Sequence, residues 1–412
     1  MGYLQKTFQE SIGRVVYEKY RDLIAEKIQD NGISLSEQQK EELLKAVQAG
    51  SLESFSLELP DDHGEDRVVT LDEEDEEQFL ERMATYEEKL LSDESIESIV
   101  KAAADAGYQA LRENWPSIGE EREADHSLFL EEIDSYWHEP IQLLEQMRYV
   151  AIVSSNTGID DVNERYTSEE LLDNALLKFN VGAGARAIQL LGEIIALVRN
   201  GYAEGALARW RSLHELNVTL HFISEHGEDV ARRYFAHEIV ESRKAAREYS
   251  RVHAQLGYPP LADSELDEIE RDYRRVVALY GPSFRGSYGW ASDALGKDHI
   301  TFSEIEDSVN LGHMRGYYRM ASHGVHANPK GITFRMSQPP DQIGLIAGPS
   351  VYGLSDAITN AAITTMQICS VMATEWSSID ALVSVAILQK LCDEVNMAVV
   401  KVEERLNSDA TN

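Results

Sequence analysis

The chain has few of the residues from which disulfide frameworks and zinc sites are built. Its 412 residues include two cysteines, Cys369 and Cys392, and both lie in segments with the apolar spacing of C-terminal helices. Two cysteines in such positions exclude a disulfide framework and a cysteine-type zinc site, and they fit a reducing compartment. The sequence therefore predicts a cytoplasmic protein.

Targeting signals and long apolar runs are missing as well. The N-terminal segment MGYLQKTFQESIGR lacks the apolar core of a signal peptide, and Lys6 stands where a myristoylation signal requires Ser or Thr. The longest apolar stretch, 361–371, is interrupted by Thr, Gln and Ser side chains. No segment is predicted to span a membrane.

Positive charge is scarce and unevenly distributed. The chain has 38 Lys and Arg against 72 Asp and Glu, a formal net charge of -34, which argues against broad adhesion to nucleic acid. Residues 1–200 hold 18 basic and 44 acidic residues and therefore 26 of the 34 excess negative charges. One hypothesis is accordingly a non-enzymatic interaction protein whose acidic N-terminal region contacts a basic protein partner.

The periodicity of apolar residues is helical along nearly the whole chain, so the predicted fold is an all-α multi-helix bundle. At most a small β-hairpin is expected near 332–346. We predict an acidic helical N-terminal region over 1–165 and a helical domain over 166–412. The dense acidic block at 61–81 lacks the ligand spacing and central Gly of an EF-hand, which indicates a solvated linker.

The segment 311–330, LGHMRGYYRMASHGVHANPK, is the most reactive stretch of the sequence. Arg319 and His326 are seven residues apart, nearly two helical turns, so both could project from one helix face. A permanently charged Arg beside a titratable His suits phosphate chemistry. We expect Ser322 and His323, which lie between them, to orient a substrate.

An earlier pair of predicted helices carries further polar residues. Arg211, His214 and Glu215 can meet on one helix face, and Lys244 lies in the following Lys- and Arg-rich helix. Arg211 and Glu215 can equally form a salt bridge or buried polar pair that braces the bundle and supports the site. For His326 the structural alternative is capping of carbonyl groups at a helix terminus.

These motifs carry two resemblances. The helix from Arg211 to Glu215, the Lys- and Arg-rich helix after it and the later run from Tyr318 to His326 together resemble a bacterial domain family of unknown function, over roughly 180–400. The spacing of Arg319 and His326 is also similar to the Arg-x(4 to 6)-His signature of HEPN proteins, helical ribonucleases and nucleotide-binding proteins of toxin-antitoxin and phage-defence systems. Met320 stands where an Asn often follows the HEPN Arg.

The HEPN resemblance implies a metal-independent endoribonuclease or RNA-binding effector. In that family a dimer brings two Arg/His pairs to one cleft, so a homo-oligomer that binds RNA and needs no cofactor is expected. His326 would transfer a proton, and Arg319 would stabilise the extra negative charge on phosphorus. A metal-dependent hydrolase is the remaining hypothesis, with His237, Glu241, His323 and His326 as the ligands that spacing permits.

Overall fold

The computed structural model describes residues 21–22, 24–30, 32–48, 93–339, 345–376 and 378–410. The chain divides into two compact units, 1–125 and 126–412. No strand occurs in the described residues, which are predominantly helical, so the all-α prediction is confirmed. The acidic block at 61–81 lies outside the described residues.

In the N-terminal unit, α1 spans Glu37–Gln48. Ser36 begins it, because its Oγ accepts a hydrogen bond from the backbone N–H of Gln39, and the Gln39 side chain accepts from the backbone N–H of Ser36. The 73-residue helix α2, Asp93–Arg165, runs from this unit into the second. Its C-terminal end lies at the boundary between 165 and 166 that the sequence predicted.

The C-terminal unit continues through helices of very different length. Long helices form its core, and short helices and 3-10 turns connect them. In order they are α3 (Ser168–Asp173), α4 (Ala175–Arg199), α5 (Ala203–His226), α6 (Glu228–Ala236), α7 (Glu238–Val252), α8 (Asp263–Tyr280), α9 (Ser292–Leu295), α10 (Phe302–Ser308), α11 (Arg315–Val325), α12 (Pro329–Thr333), α13 (Ser355–Trp376) and α14 (Ile379–Ala410).

The core forms where α4, α5 and α13 pack together. Trp137 of α2 and Trp210 of α5 are both fully buried. The Trp210 indole N–H donates to Thr364 Oγ1 of α13 at 2.9 Å, and the Trp137 indole N–H donates to the carbonyl oxygen of Val351 at 2.8 Å. Both large aromatic side chains therefore combine apolar burial with a satisfied polar group.

Helix α4 is long and apolar enough to cross a membrane by length and composition alone. In this structure its buried side chains belong to the core. Ten of its residues are buried, and a core helix of a soluble protein has the same composition.

The segment for which the sequence allowed a hairpin, 332–346, contains no strand in its described part. Residues 332–333 end α12, 334–339 are turns and irregular backbone, and 340–344 lie outside the described residues. The local reason is helix capping: the Asn328 side chain accepts from the Gly331 N–H at 2.8 Å, and Pro329 occupies the first helical position.

Candidate functional site

The site is built on α11, which packs against α5 near the residues that the sequence singled out. Arg211 donates from Nη1 to Ser322 Oγ at 3.0 Å and from Nη2 to the Tyr318 hydroxyl at 2.9 Å. It also donates from Nε to Glu215 Oε1 at 3.1 Å, and Tyr318 donates to the same oxygen at 2.6 Å. One guanidinium thus joins both helices through three side chains.

Tyr318 is held as a neutral donor in this cluster. Burial and the hydrogen bond to Glu215 raise its pKa above the usual range. The Arg211 guanidinium also lies over the Tyr318 ring, 4.6 Å from the centroid. The side chains of Arg211 and Glu215 remain 21% and 40% exposed, so they form a partly solvated brace, and the interpretation of a fully buried pair is wrong.

His214 is placed differently from its neighbour Arg211. Its side chain is fully buried, and Nε2 lies 2.9 Å from Oε1 of Glu306, a carboxylate of α10 that is itself 1% exposed. Desolvation lowers the pKa of His214, although Glu306 opposes the shift. Arg315 Nε donates to the other oxygen of Glu306 at 2.7 Å, so the chain His214–Glu306–Arg315 connects α5, α10 and the first residue of α11.

Arg319 and His326, the predicted catalytic pair, lie at the surface. Both side chains are exposed, and neither has a hydrogen bond or ion pair among the described residues. Helix α11 ends at Val325, and His326 has an extended backbone with φ -106° and ψ 139°. The expectation that both residues share one helix face is therefore wrong, because the helix ends one residue before His326.

The end of α11 is fastened to the start of α12. The His323 Nδ1 lies 2.9 Å from the Asn328 side-chain nitrogen, so the imidazole accepts there. A Cβ on Gly331 would lie 2.1 Å from the His323 carbonyl oxygen and 3.0 Å from that of His326. This contact requires Gly, and it places the neighbouring Lys330 close to the end of α11.

Lys244 does not join this cluster. It lies on α7, half exposed, and donates from Nζ to Glu241 at 2.8 Å. Within the part of the chain that the structure describes, Lys244 has no hydrogen bond or ion pair with a residue of this cluster that would support its predicted role.

The ligand set of the metal hypothesis is not assembled either. His237 Nε2 lies 2.7 Å from the Gly286 carbonyl oxygen, whereas His323 contacts Asn328 and the His326 side chain has no hydrogen-bond partner among the described residues. Across the described ranges, no group of three or more His, Cys, Asp or Glu side chains is arranged to hold a metal ion.

Charge distinguishes the surface around α11 and α12 from the remainder of this acidic protein. The 33 residues 308–340 contain no Asp or Glu. Arg319, Lys330 and His326 are exposed there without a carboxylate partner in the described chain, whereas Arg315 at the start of α11 is paired with Glu306 and Asp307. We use the name α11–α12 surface for the exposed side chains of Arg319 on α11, His326 directly after it and Lys330 on α12. It can accept an anion without breaking an existing ion pair.

Exposed apolar side chains accompany these cations. Tyr317 is 40% exposed and Phe334 is 56% exposed, and Val325 and Ile332 are also open to solvent. Cationic groups interleaved with exposed aromatic rings are the combination that binds single-stranded nucleic acid.

Two residues of the site escaped the sequence analysis. Glu306 is 92 residues from His214, and no local spacing joins them. Tyr318 belongs to the recognised run, but its role depends on α5. Tyr318 and Ser322 are four residues apart, as are Arg211 and Glu215. Two polar pairs with this spacing, one on each of two packed helices, could have indicated the cluster.

Comparison with known proteins agrees with the first of the two resemblances. No curated protein and no solved structure matches the chain. Residues 181–343 match the model of DUF5677, a family of unknown function. The match includes every residue of the Arg211 cluster, the His214–Glu306–Arg315 chain and the α11–α12 surface. Residues 181–343 are thus similar to an uncharacterised family, DUF5677, and the site lies within this matched segment.

Proposed function

We propose that the protein is a HEPN-like, metal-independent endoribonuclease or RNA-binding effector of a bacterial defence or toxin-type system, acting in the cytoplasm. The observation that carries the proposal is the α11–α12 surface, where Arg319, His326 and Lys330 are exposed and have no ion-pair partner among the described residues. Phe334, just after α12, is exposed as well. An acidic protein with a net charge of -34 repels polyanions over most of its surface, so binding is confined to this region.

Arg319 is suited to grip a phosphate. Its planar guanidinium presents paired donors that match two phosphate oxygens, and it stays charged at every physiological pH. Because no carboxylate of the described chain engages Arg319, a phosphate replaces only water there.

RNA is favoured over other phosphate compounds by the exposed rings. Bases of an unpaired strand can stack on Phe334 and Tyr317 while the backbone follows the cations.

The chemistry that these groups support is transesterification. The ribose 2'-oxygen attacks phosphorus and the bond from phosphorus to the 5'-oxygen breaks, which leaves a 2',3'-cyclic phosphate and a 5'-hydroxyl. His326 takes the proton of the 2'-hydroxyl, and the partner subunit's His326 in a homodimer protonates the leaving oxygen. Arg319 stabilises the charge that accumulates on the phosphoryl oxygens.

The Arg211 cluster has a positioning role in this scheme. It fixes α11 against α5 through Tyr318 and Ser322, which directly precede Arg319 and His323 in the sequence. Arg211, Glu215 and Ser322, three of the residues predicted to support the site, therefore act through the helix rather than on the substrate.

The test is cleavage of a labelled, partly single-stranded RNA by purified protein, with product ends identified. We expect His326→Ala to lower the rate by about 10²-fold or more, because the proton-transfer group is removed. Arg319→Lys should also lose activity, since the ammonium keeps the charge but not the two-donor geometry. Activity should survive EDTA.

The matched controls are the variants His299→Ala and Arg274→Lys, both at exposed residues. Both variants should cleave the RNA at the wild-type rate. Binding of the same RNA should weaken steeply with salt, and a DNA strand of equal sequence should not be cut. Binding without cleavage would leave the RNA-binding effector as the function. Neither binding nor cleavage would favour the interaction protein with a basic partner.

A further inference from the structure

A cavity of about 210 Å³ lies away from α11, where α2 ends, α4 begins and α13 ends. Its volume corresponds to about seven water molecules at about 30 Å³ each, enough for a small organic molecule. Its polar wall is formed by Asp161, Arg165, Tyr166, Asn174, Asn180 and Glu375, and its apolar wall includes Val162, Leu176 and Leu177.

The amide of Asn180 is the first indication of a ligand. Asn180 lines the cavity and is 2% exposed, yet its Oδ1 has no hydrogen-bond partner. A buried polar atom without a partner costs free energy, so such atoms in native proteins usually face a water or ligand. The unsatisfied amide is consistent with a cavity that is filled by a polar molecule.

The cavity is not built for an anion, although α4 begins in it. The first N–H groups of α4 are already occupied: those of Ala175 and Leu176 donate to Glu228 at 3.0 and 2.8 Å, and that of Leu177 donates to Asn174 Oδ1 at 2.9 Å. The helix N-terminus therefore has its counter-charge from the protein itself.

The remaining charges favour a cation. Arg165 is held by Asp161 at 3.5 Å, which leaves the carboxylate of Glu375 without a cationic partner among the described residues. Partial burial of the carboxyl raises the pKa of Glu375, although the residue remains accessible to solvent. Helices α2 and α13 both end at this cavity, and their C-terminal carbonyl groups add partial negative charge.

We propose that this cavity binds a small primary amine, with Glu375 as counter-charge to the ammonium group and Asn180 as hydrogen-bond partner of a second polar group. The site is separate from the α11–α12 surface and does not depend on the function proposed for it. Its ligand class follows from one unpaired carboxylate, one unpaired amide and a volume too small for a nucleotide chain.

The test is isothermal titration calorimetry of the full chain with three probes of equal length: 1,4-diaminobutane, 1,4-butanediol and succinate. We expect saturable binding of the diamine and none of succinate, because the unpaired cavity charge is negative. Glu375→Gln should raise the dissociation constant of the diamine by about tenfold or more, as one charge-assisted hydrogen bond is weakened.

Asn180→Leu, a change of similar volume, should raise the same constant by a similar factor. In the absence of ligand it should leave the melting temperature unchanged or raise it, because an unsatisfied buried polar group is removed. The control is Glu404→Gln, an exposed carboxylate on α14, which should bind like wild type. Absence of diamine binding, tighter binding of succinate, equal heats with the diol, or an unaltered constant in both cavity variants would each overturn the proposal.

Discussion

At the scale of single residues, three neighbours in sequence have unlike roles because their environments differ. Arg211 and Glu215 face a partly solvated seam and share Tyr318, whereas His214, on the same helix, is fully buried against Glu306. Spacing of three and four predicted that these side chains meet. The depth of each one depends on α10 and α11, which lie about 90 to 110 residues further along the chain.

The buried His214 makes stability depend on pH. Desolvation lowers its pKa in the folded protein, whereas the unfolded chain titrates near ~6.5. The unfolded state therefore binds the extra proton first as pH falls. His214 contributes stability that is present above pH ~6.5 and lost below it, by up to about 1.4 kcal/mol per pH unit for one proton.

We expect His214→Gln to reduce this loss between pH 7 and pH 5. Glutamine can still donate to Glu306 but does not titrate. The measurement is urea unfolding of wild type and variant at several pH values. His221 and His237, whose pKa values burial also lowers, preserve part of the slope. The control is His299→Gln, because His299 is exposed. If the free energy of unfolding falls as steeply with pH in His214→Gln as in His299→Gln, the assignment to His214 is contradicted.

At the scale of elements, the junction of α11 and α12 decides where the exposed cations lie. The Asn328 cap, the contact at Gly331 and the hydrogen bonds from Ser337 to Glu204 at the start of α5 hold this region without a strand. Ser337 donates to Glu204 from both its N–H and its hydroxyl. The segment after α12 is therefore bonded to α5 and, in its described part, does not pair with a neighbouring segment as a hairpin would.

Two glycines of this region provide opposite predictions. Gly331→Ala should destabilise the junction, because the added Cβ would lie 2.1 Å from a backbone oxygen of α11. Gly316→Ala, in the first turn of α11, meets no atom within 4 Å and should stabilise the protein by up to about 1 kcal/mol.

Melting temperatures of the two glycine variants and hydrogen exchange at α12 would test these expectations. Faster exchange confined to Gly331→Ala identifies the junction as the region that opens. Equal stability of the two variants would show that α12 moves freely away from α11.

At the scale of the whole molecule, the second part of α2 belongs to the core of the C-terminal unit. Trp137, Leu144 and Met147 are fully buried and pack with residues of the later helices. The boundary predicted between 165 and 166 would remove these side chains from the C-terminal domain, whereas the division at 125 and 126 retains them.

A fragment of residues 126–412 should therefore fold with a cooperative thermal transition near that of the full chain. A fragment of residues 166–412 should be destabilised by several kcal/mol, since each large buried side chain contributes about 2 to 5 kcal/mol. Circular dichroism melts of the two fragments would test this. Similar transitions in both would show that residues 126–165 add little to the core of the unit.

The sequence by itself determined the helical fold, the acidic charge of the first half and the resemblance to a family of unknown function, because each depends on local periodicity, composition or motif. It also predicted that Arg211 and Glu215 meet, since a spacing of four places side chains on one helix face. The tertiary structure decided which of these groups are free. It paired Arg211, buried His214 and left Arg319 and His326 exposed, because burial and ion pairing depend on contacts between distant segments. The close packing of α12 against the last turn of α11 at Gly331 was likewise decided by the tertiary structure, because helix periodicity does not contain such a contact.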